Sequence, residues 1–180
     1  MNYKIISKKT AYKGGWLRVE KVRVRLPTRR IVDWWVPIMD DFVAILSLDN
    51  KGNIYLVKEW RVAWEKELWQ VPAGARENKN NSEKAILNDA KRELKEEAGL
   101  EAKDWKKLCS FANSSKWRER GDIYLARNLT FTGQNLDKNE ILRVVKMPFK
   151  KAWNLLFSGK VLTNAYTLLA MAYAKDKLKL

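Results

Sequence analysis

Between Ser82 and Gly99 the sequence prescribes one helix with two opposed faces. Ser82 is a good N-cap, the run Glu83–Ala98 follows helical periodicity, and Gly99 supplies the stop. Leu87, Ala90, Leu94 and Ala98 form an apolar stripe. Glu93, Glu96 and Glu97 fall within one arc of about 100°, and Asp89 lies on the same side. Like charges at this spacing cost a helix a few tenths of a kcal/mol. Glu97 also meets the negative end of the helix dipole. A cluster built against both effects makes sense if a cation sits on it.

Composition narrows the chemistry. The 180 residues are 46% hydrophobic and 11% aromatic, enough for one globular domain with a real core. Histidine is absent. This excludes a Ser-His-Asp triad, a His-activated cysteine and a His-ligated zinc. Acid–base work falls to carboxylates, Lys, Tyr or Cys, and a metal site must be built from oxygen ligands, which suits Mg²⁺, Mn²⁺ or Ca²⁺. Cys109, the single cysteine, cannot form an internal disulfide and fits a reducing cytoplasm. No apolar run is long enough for a membrane span, and the first nine residues carry no signal-peptide core. The net charge of +15 makes a field that attracts phosphates on nucleotides, nucleic acid or a membrane surface. Because Lys is spread along the chain, a solubility role is an equal alternative.

The pattern predicts strands over 3–7, 16–26 and 30–38, with a register break near Glu20 and Lys21, where the parity of Leu17 and Val19 gives way to that of Val22, Val24 and Leu26. Residues 42–48 and 54–59 flank Asp49-Asn50-Lys51-Gly52 and read as a hairpin. Further strands are predicted over 68–71, 105–111, 122–126 and 141–147. Polar loops are expected over 76–81 and 132–140, and helices over 148–158 and 164–175. The order is that of a mixed α/β fold.

Residues 92–100, Arg-Glu-Leu-Lys-Glu-Glu-Ala-Gly-Leu, match every fixed position in the second half of the box Gly-x5-Glu-x7-Arg-Glu-U-x-Glu-Glu-x-Gly-U, with U an aliphatic residue. By this run the chain resembles a Nudix hydrolase. The first half departs from the box: its Gly and Glu positions hold Asn78 and Lys84, and the preceding Gly is Gly74, a segment four residues longer. Residues 56–61 (Leu-Val-Lys-Glu-Trp-Arg) and 68–74 (Leu-Trp-Gln-Val-Pro-Ala-Gly) are similar to the "LVrQyR … ElPAG" stretch of the ADP-ribose pyrophosphatase branch. Residues 122–126, 144–148 and 159–172 resemble its late strands and last helix. Two features of the branch are replaced: the Glu of "ElPAG" is Gln70, and Asn113-Ser114-Ser115 stand where Ser-Pro-Gly is common.

The resemblance implies a Nudix α/β/α sandwich with a mixed sheet, as one domain over 1–180. Its N-terminal antiparallel strands (1–38) would pair two copies into a homodimer, and 39–180 would be the core. It implies Mg²⁺- or Mn²⁺-dependent hydrolysis of a nucleoside diphosphate derivative, with ADP-ribose the first candidate. Glu93 and Glu97 would be the principal ligands, Glu96 the next, and the Ala73 carbonyl would complete the sphere. Arg92 would orient the acidic side chains, and Arg61 would reach the phosphates or form an internal salt bridge. Glu140 would activate water, with Asp137 and Glu119 as rivals, Glu119 also as a substrate contact. Trp34, Trp35 and Trp117 would stack on a base or pack in a core or dimer. The competing readings are an RNA-binding or RNA-end-processing Nudix protein and an inactive nucleotide-binding regulator.

Overall fold

The computed structural model describes residues 2–77, 80–136, 138 and 140–179. The chain forms two compact units, Met1–Asp41 with Ala112–Arg120, and Phe42–Phe111 with Gly121–Leu180.

In the first unit, alternating Val and Arg residues give an antiparallel sheet of β1 (Lys4–Gly14), β2 (Leu17–Arg25) and β3 (Ile31–Ile38), in that order. Cross-strand partners share a face. Val22, Val24 and Ile38 are buried on one face, while Lys21, Arg23, Asp33 and Trp35 share the other. The expected register break exists, but its extra residue lies on β1. Thr10 pairs with Glu20 and Tyr12 with Val19, so Ala11 is the bulge, and Ile6 makes a second one. β2 runs unbroken and pairs one-to-one with β3.

The second unit holds two four-stranded mixed sheets. β4 (Phe42–Ser47), β7 (Ala73–Ala75), β8 (Leu100–Ala112) and β9 (Arg120–Phe131) are ordered β7-β4-β9-β8. β5 (Asn53–Arg61), β6 (Lys66–Gln70), β10 (Leu142–Pro148) and β11 (Leu162–Thr163) are ordered β10-β5-β6-β11. Helices α1 (Glu83–Ala98), α2 (Phe149–Leu156) and α3 (Ala165–Leu178) complete the layers. All six residues of β4 are buried, because both faces of that strand are covered. Val43 and Ile45 meet Ile86, Ala90, Leu94 and Ala98 of α1. Phe42, Ala44 and Leu46 join the larger core with Leu56, Ile123, Phe149, Ala152 and Met171. Burying each Leu or Ile in these clusters contributes about 1.5–3 kcal/mol.

The predicted hairpin is corrected by the structure. The Asp49–Gly52 turn forms, with the Asp49 carboxylate accepting from the Lys51 and Asn53 amides at 2.9 and 2.8 Å. One bridge, Leu48 to Ile54, follows it, and then β4 and β5 diverge into different sheets. The edges of β4 are taken by β7 and parallel β9, and those of β5 by β6 and β10. Among the described residues no helix is long and apolar enough to cross a membrane.

Candidate active site

Helix α1 begins and ends as its sequence demands. The Ser82 hydroxyl accepts from the Ala85 amide at 3.3 Å, and Gly99 adopts the left-handed conformation (φ 64°), donating to the Leu94 and Lys95 carbonyls. The buried face carries Ile86, Ala90, Leu94 and Ala98 together with Asp89, Glu93 and Glu97. Ala85 and Ile86 are buried at the helix start, while Leu87 is half-buried. The three acids recur every fourth residue and are therefore drawn inward with the apolar stripe. Glu93 and Glu97 are 7% and 3% exposed.

Strand β7 lies against these acids. The Ala73 amide donates to Glu97 Oε2 at 2.8 Å. A Cβ at Gly74 would fall within the Glu93 carboxylate, so glycine here is a packing requirement. Arg92 fastens the outer side: its guanidinium donates to Glu93 Oε1 and Glu96 Oε2, both at 2.6 Å, and to the Ala75 carbonyl at 3.1 Å. Arg92 thus orients two of the three glutamates and ties α1 to β7.

The segment after β9 caps the same helix end. Asn135 N–H donates to the Glu96 carbonyl at 3.1 Å, Gln134 Nε2 to the Glu97 carbonyl at 2.6 Å, and Thr132 N–H to the Gly99 carbonyl at 2.8 Å. These bonds satisfy carbonyls that a helix C-terminus leaves open. They also start the chain toward Glu140 beside the acidic cluster. Asp137 lies outside the described residues.

Burial pushes Glu93 up to about 7, with Arg92 opposing and Glu96 and Glu140 adding to the rise. Burial holds Glu97 well above the carboxylate range, reinforced by Glu93, Glu140 and Glu59 and opposed by the Ala73 amide. Glu59 on β5 is raised too, by burial first and then by Glu140, while Arg61 opposes. Four carboxylates, Glu59, Glu93, Glu97 and Glu140, therefore act on one another. Arg61 pairs with Glu59 at 2.7 Å. Glu59 escapes a reading of the sequence, because an acid two residues from an Arg on a strand reads as a surface pair.

The residues present fit a hard divalent cation. The donors are all oxygen, two are buried with raised proton affinity, and Gly74 leaves Glu93 the room that a side chain would fill. Among the described residues no group of three or more acidic, His or Cys side chains forms a ready cage. Mg²⁺ needs none, since it is commonly held by one or two carboxylates, with water and substrate phosphate supplying the rest. Glu93 and Glu97 would supply such a pair. Glu96, 30% exposed at its side chain and held by Arg92, stands beside it.

Trp35 and Glu119 belong to the other compact unit. Trp35 is exposed with Lys21 Nζ 5.5 Å from its ring centroid. The Glu119 carboxylate accepts from Asn113 Nδ2 at 2.6 Å and Trp117 Nε1 at 2.9 Å, closing the loop that contains it.

A family model described as NUDIX domain matches residues 38–164. An ADP-ribose pyrophosphatase of Mycobacterium tuberculosis is 30% identical over 134 residues, which is 74% of this chain and 63% of that protein, less than two thirds of its length. An ADP-ribose pyrophosphatase of Bacillus subtilis is 28% identical over 97% of this chain and 93% of its own. A methanol dehydrogenase activator of Bacillus methanolicus is 24% identical over 94% and 91% of the two chains. The crystal structure of an ADP compounds hydrolase superposes with a TM-score of 0.84 over 99% of this chain and 95% of its own, at 20% identity, a likeness of fold. With the family model covering residues 38–164, this chain belongs to the Nudix family and is similar to ADP-ribose pyrophosphatases.

Proposed function

We propose that this Nudix pyrophosphohydrolase uses a divalent cation, Mg²⁺ or Mn²⁺, to hydrolyse the diphosphate bond of a nucleoside diphosphate sugar, with ADP-ribose the first substrate to try. The observation that carries the reading is the buried Glu93–Glu97 pair, held by Arg92 and the Ala73 amide and facing Glu140. The names of the two pyrophosphatase relatives support the choice of substrate.

A diphosphate repels a nucleophile and departs as an anion. A bound cation supplies charge neutralisation of the attacked phosphate and its leaving group. The rest falls to the chain. Glu140 accepts a proton from the attacking water. The oxygen attacks one phosphorus, the bond from that phosphorus to the bridging oxygen breaks, and a nucleoside monophosphate and a sugar phosphate leave. Arg61, 41% exposed at its side chain, offers charge-assisted hydrogen bonds to phosphate oxygens, while Glu59 steadies its guanidinium.

A panel of nucleoside diphosphate derivatives assayed with Mg²⁺ and Mn²⁺ tests the proposal. ADP-ribose is expected to turn over, and Glu97→Gln to lose at least about 100-fold in kcat with its circular dichroism unchanged. Full activity in Glu97→Gln contradicts the ligand assignment, and an idle panel contradicts the substrate class.

The same reading makes the chain a homodimer through the N-terminal strands, where Tyr3, Ile5, Trp34 and Trp35 are exposed. Sedimentation at physiological salt should give twice the 21.1 kDa chain mass, and a monomer at micromolar concentration would contradict it.

A further inference from the structure

Residues 69–73 lead from the end of β6 into β7, and they finish where Glu97 and Glu93 lie against the strand. Each is held by a different bond. The Trp69 carbonyl accepts from Thr163 Oγ1 at 2.7 Å. Gln70 Oε1 accepts from Asn164 Nδ2 at 3.0 Å and from the Tyr166 hydroxyl at 2.9 Å. The Val71 amide donates to Thr167 Oγ1 at 3.1 Å. The Pro72 carbonyl accepts from the Ile45 amide at 2.8 Å, and the Ala73 amide donates to Glu97.

Three consecutive residues, 69–71, are thus fastened to one short stretch, 163–167, where β11 ends and α3 begins. Asn164 serves both sides: its Oδ1 accepts from the Thr167 amide at 2.9 Å as the helix cap, and its Nδ2 holds Gln70. Gln70, Val71 and Thr167 are all buried. Valine would fill the space of Thr167 but would leave the buried Val71 amide without its acceptor, and an apolar residue at 70 would strand the Asn164 amide and the Tyr166 hydroxyl. A buried network of this kind costs desolvation and gains a fixed geometry in return. The geometry fixed here ends two residues later at the Ala73–Glu97 hydrogen bond.

We infer that Thr167, together with Gln70 and Asn164, is a positioning residue for the metal site. The start of α3 sets the place of residues 71–73, and through the Ala73 amide it sets the Glu97 carboxylate. The inference rests on Glu97 being a ligand. It assigns a role to a helix that contributes no ligand of its own.

The test uses the whole chain and Mn²⁺ alone, with free Mn²⁺ followed by electron paramagnetic resonance and no substrate present. Thr167→Val should keep its circular dichroism and bind Mn²⁺ about tenfold more weakly. Thr167→Ser, which restores the hydroxyl, should regain the wild-type affinity. Asp49→Asn, in the distant β4–β5 turn, serves as the control: it should lower the melting temperature without weakening Mn²⁺ binding. Wild-type affinity in Thr167→Val would overturn the inference, as would equal weakening in Asp49→Asn at a matched loss of stability. If Thr167→Val does not fold, Tyr166→Phe takes its place, with weaker binding supporting the inference and unchanged binding overturning it. Glu97→Gln separates the two levels. If the wild type binds Mn²⁺ and Glu97→Gln does not, the ligand reading stands and the Thr167 variants decide alone. If Glu97→Gln binds as the wild type does, both fall together.

Discussion

The carboxylates proposed to hold a cation would have to be ionised, and in this chain they are placed where ionisation is hard. Glu93 is buried beside Glu97, and the cost is limited by Arg92 and by the bare Cα of Gly74. Gly74→Ala would put a methyl group inside the Glu93 carboxylate. The strand backbone cannot yield easily, because Val43 and Ala44 pair with it. The side chain must therefore turn away. We expect a loss of about tenfold or more in metal affinity with the helix content unchanged, read by calorimetric titration with Mn²⁺. Unaltered affinity would show that Glu93 does not need its present rotamer. At this scale the sequence was informative about charge and silent about depth. Glu93, Glu96 and Glu97 were legible from spacing, but the depth that separates buried Glu93 and Glu97 from half-buried Glu96 was not. Nor was Glu59, whose relation to Glu140 depends on strands far apart in sequence.

Helix α1 was legible almost to the residue, because its signals are local: Ser82 at the start, a repeating apolar stripe, Gly99 at the stop. Its C-terminus does more than end a helix. Gly99 has φ 64°, and a Cβ there would stand 2.7 Å from the backbone of Gly133 and Gln134. Gly99→Ala should cost more than the ~1 kcal/mol of left-handed strain alone, because residues 132–135 must also move off the helix carbonyls. We expect about 2 kcal/mol or more from urea unfolding, and a fall in kcat as the segment leading to Glu140 shifts. A change confined to stability would argue that this segment takes no part in turnover. Other elements were hidden by their length or their rivals. β7 and β11, with three and two residues, are too short for periodicity to register. The β4–β5 turn was plain in Asp49 and Gly52, yet the separation of its strands was decided by competition for edges, which no local pattern reports.

Across the whole molecule, the raised and lowered carboxyls give stability a pH dependence of definite sign. Between the ordinary glutamate value of 4.5 and about 7, folded Glu93 keeps a proton that the unfolded chain has released. The folded state then binds more protons, so stability falls as pH rises through this window. Glu97 acts in the same sense. Asp49 acts in the other. Burial opposes its ionisation, but the Lys146 ion pair and the Asn53 and Lys51 amides outweigh it and hold the carboxyl far below its ordinary 3.8. That stability is present above 3.8 and is lost as pH falls below it. The metal-free chain should melt highest near about pH 5 and lower near about pH 8. Mg²⁺ must displace the retained protons, so the stabilisation it confers should grow over the same range. Thermal unfolding with and without Mg²⁺ checks this, and a metal-free melting temperature that rises from about pH 5 to pH 8 would contradict it. The layered α/β class was readable from the order of elements. The split into two mixed sheets was not, because it depends on which strand wins each edge.

The central claim is that Glu93 and Glu97 together grip a divalent cation beside Ala73 and Gly74. The most direct measurement is anomalous scattering from crystals soaked in Mn²⁺, collected at the manganese edge. The account predicts a peak within coordination distance of both carboxylates, absent in Glu97→Gln. A peak elsewhere, or none in crystals that bind and turn over substrate, would contradict it.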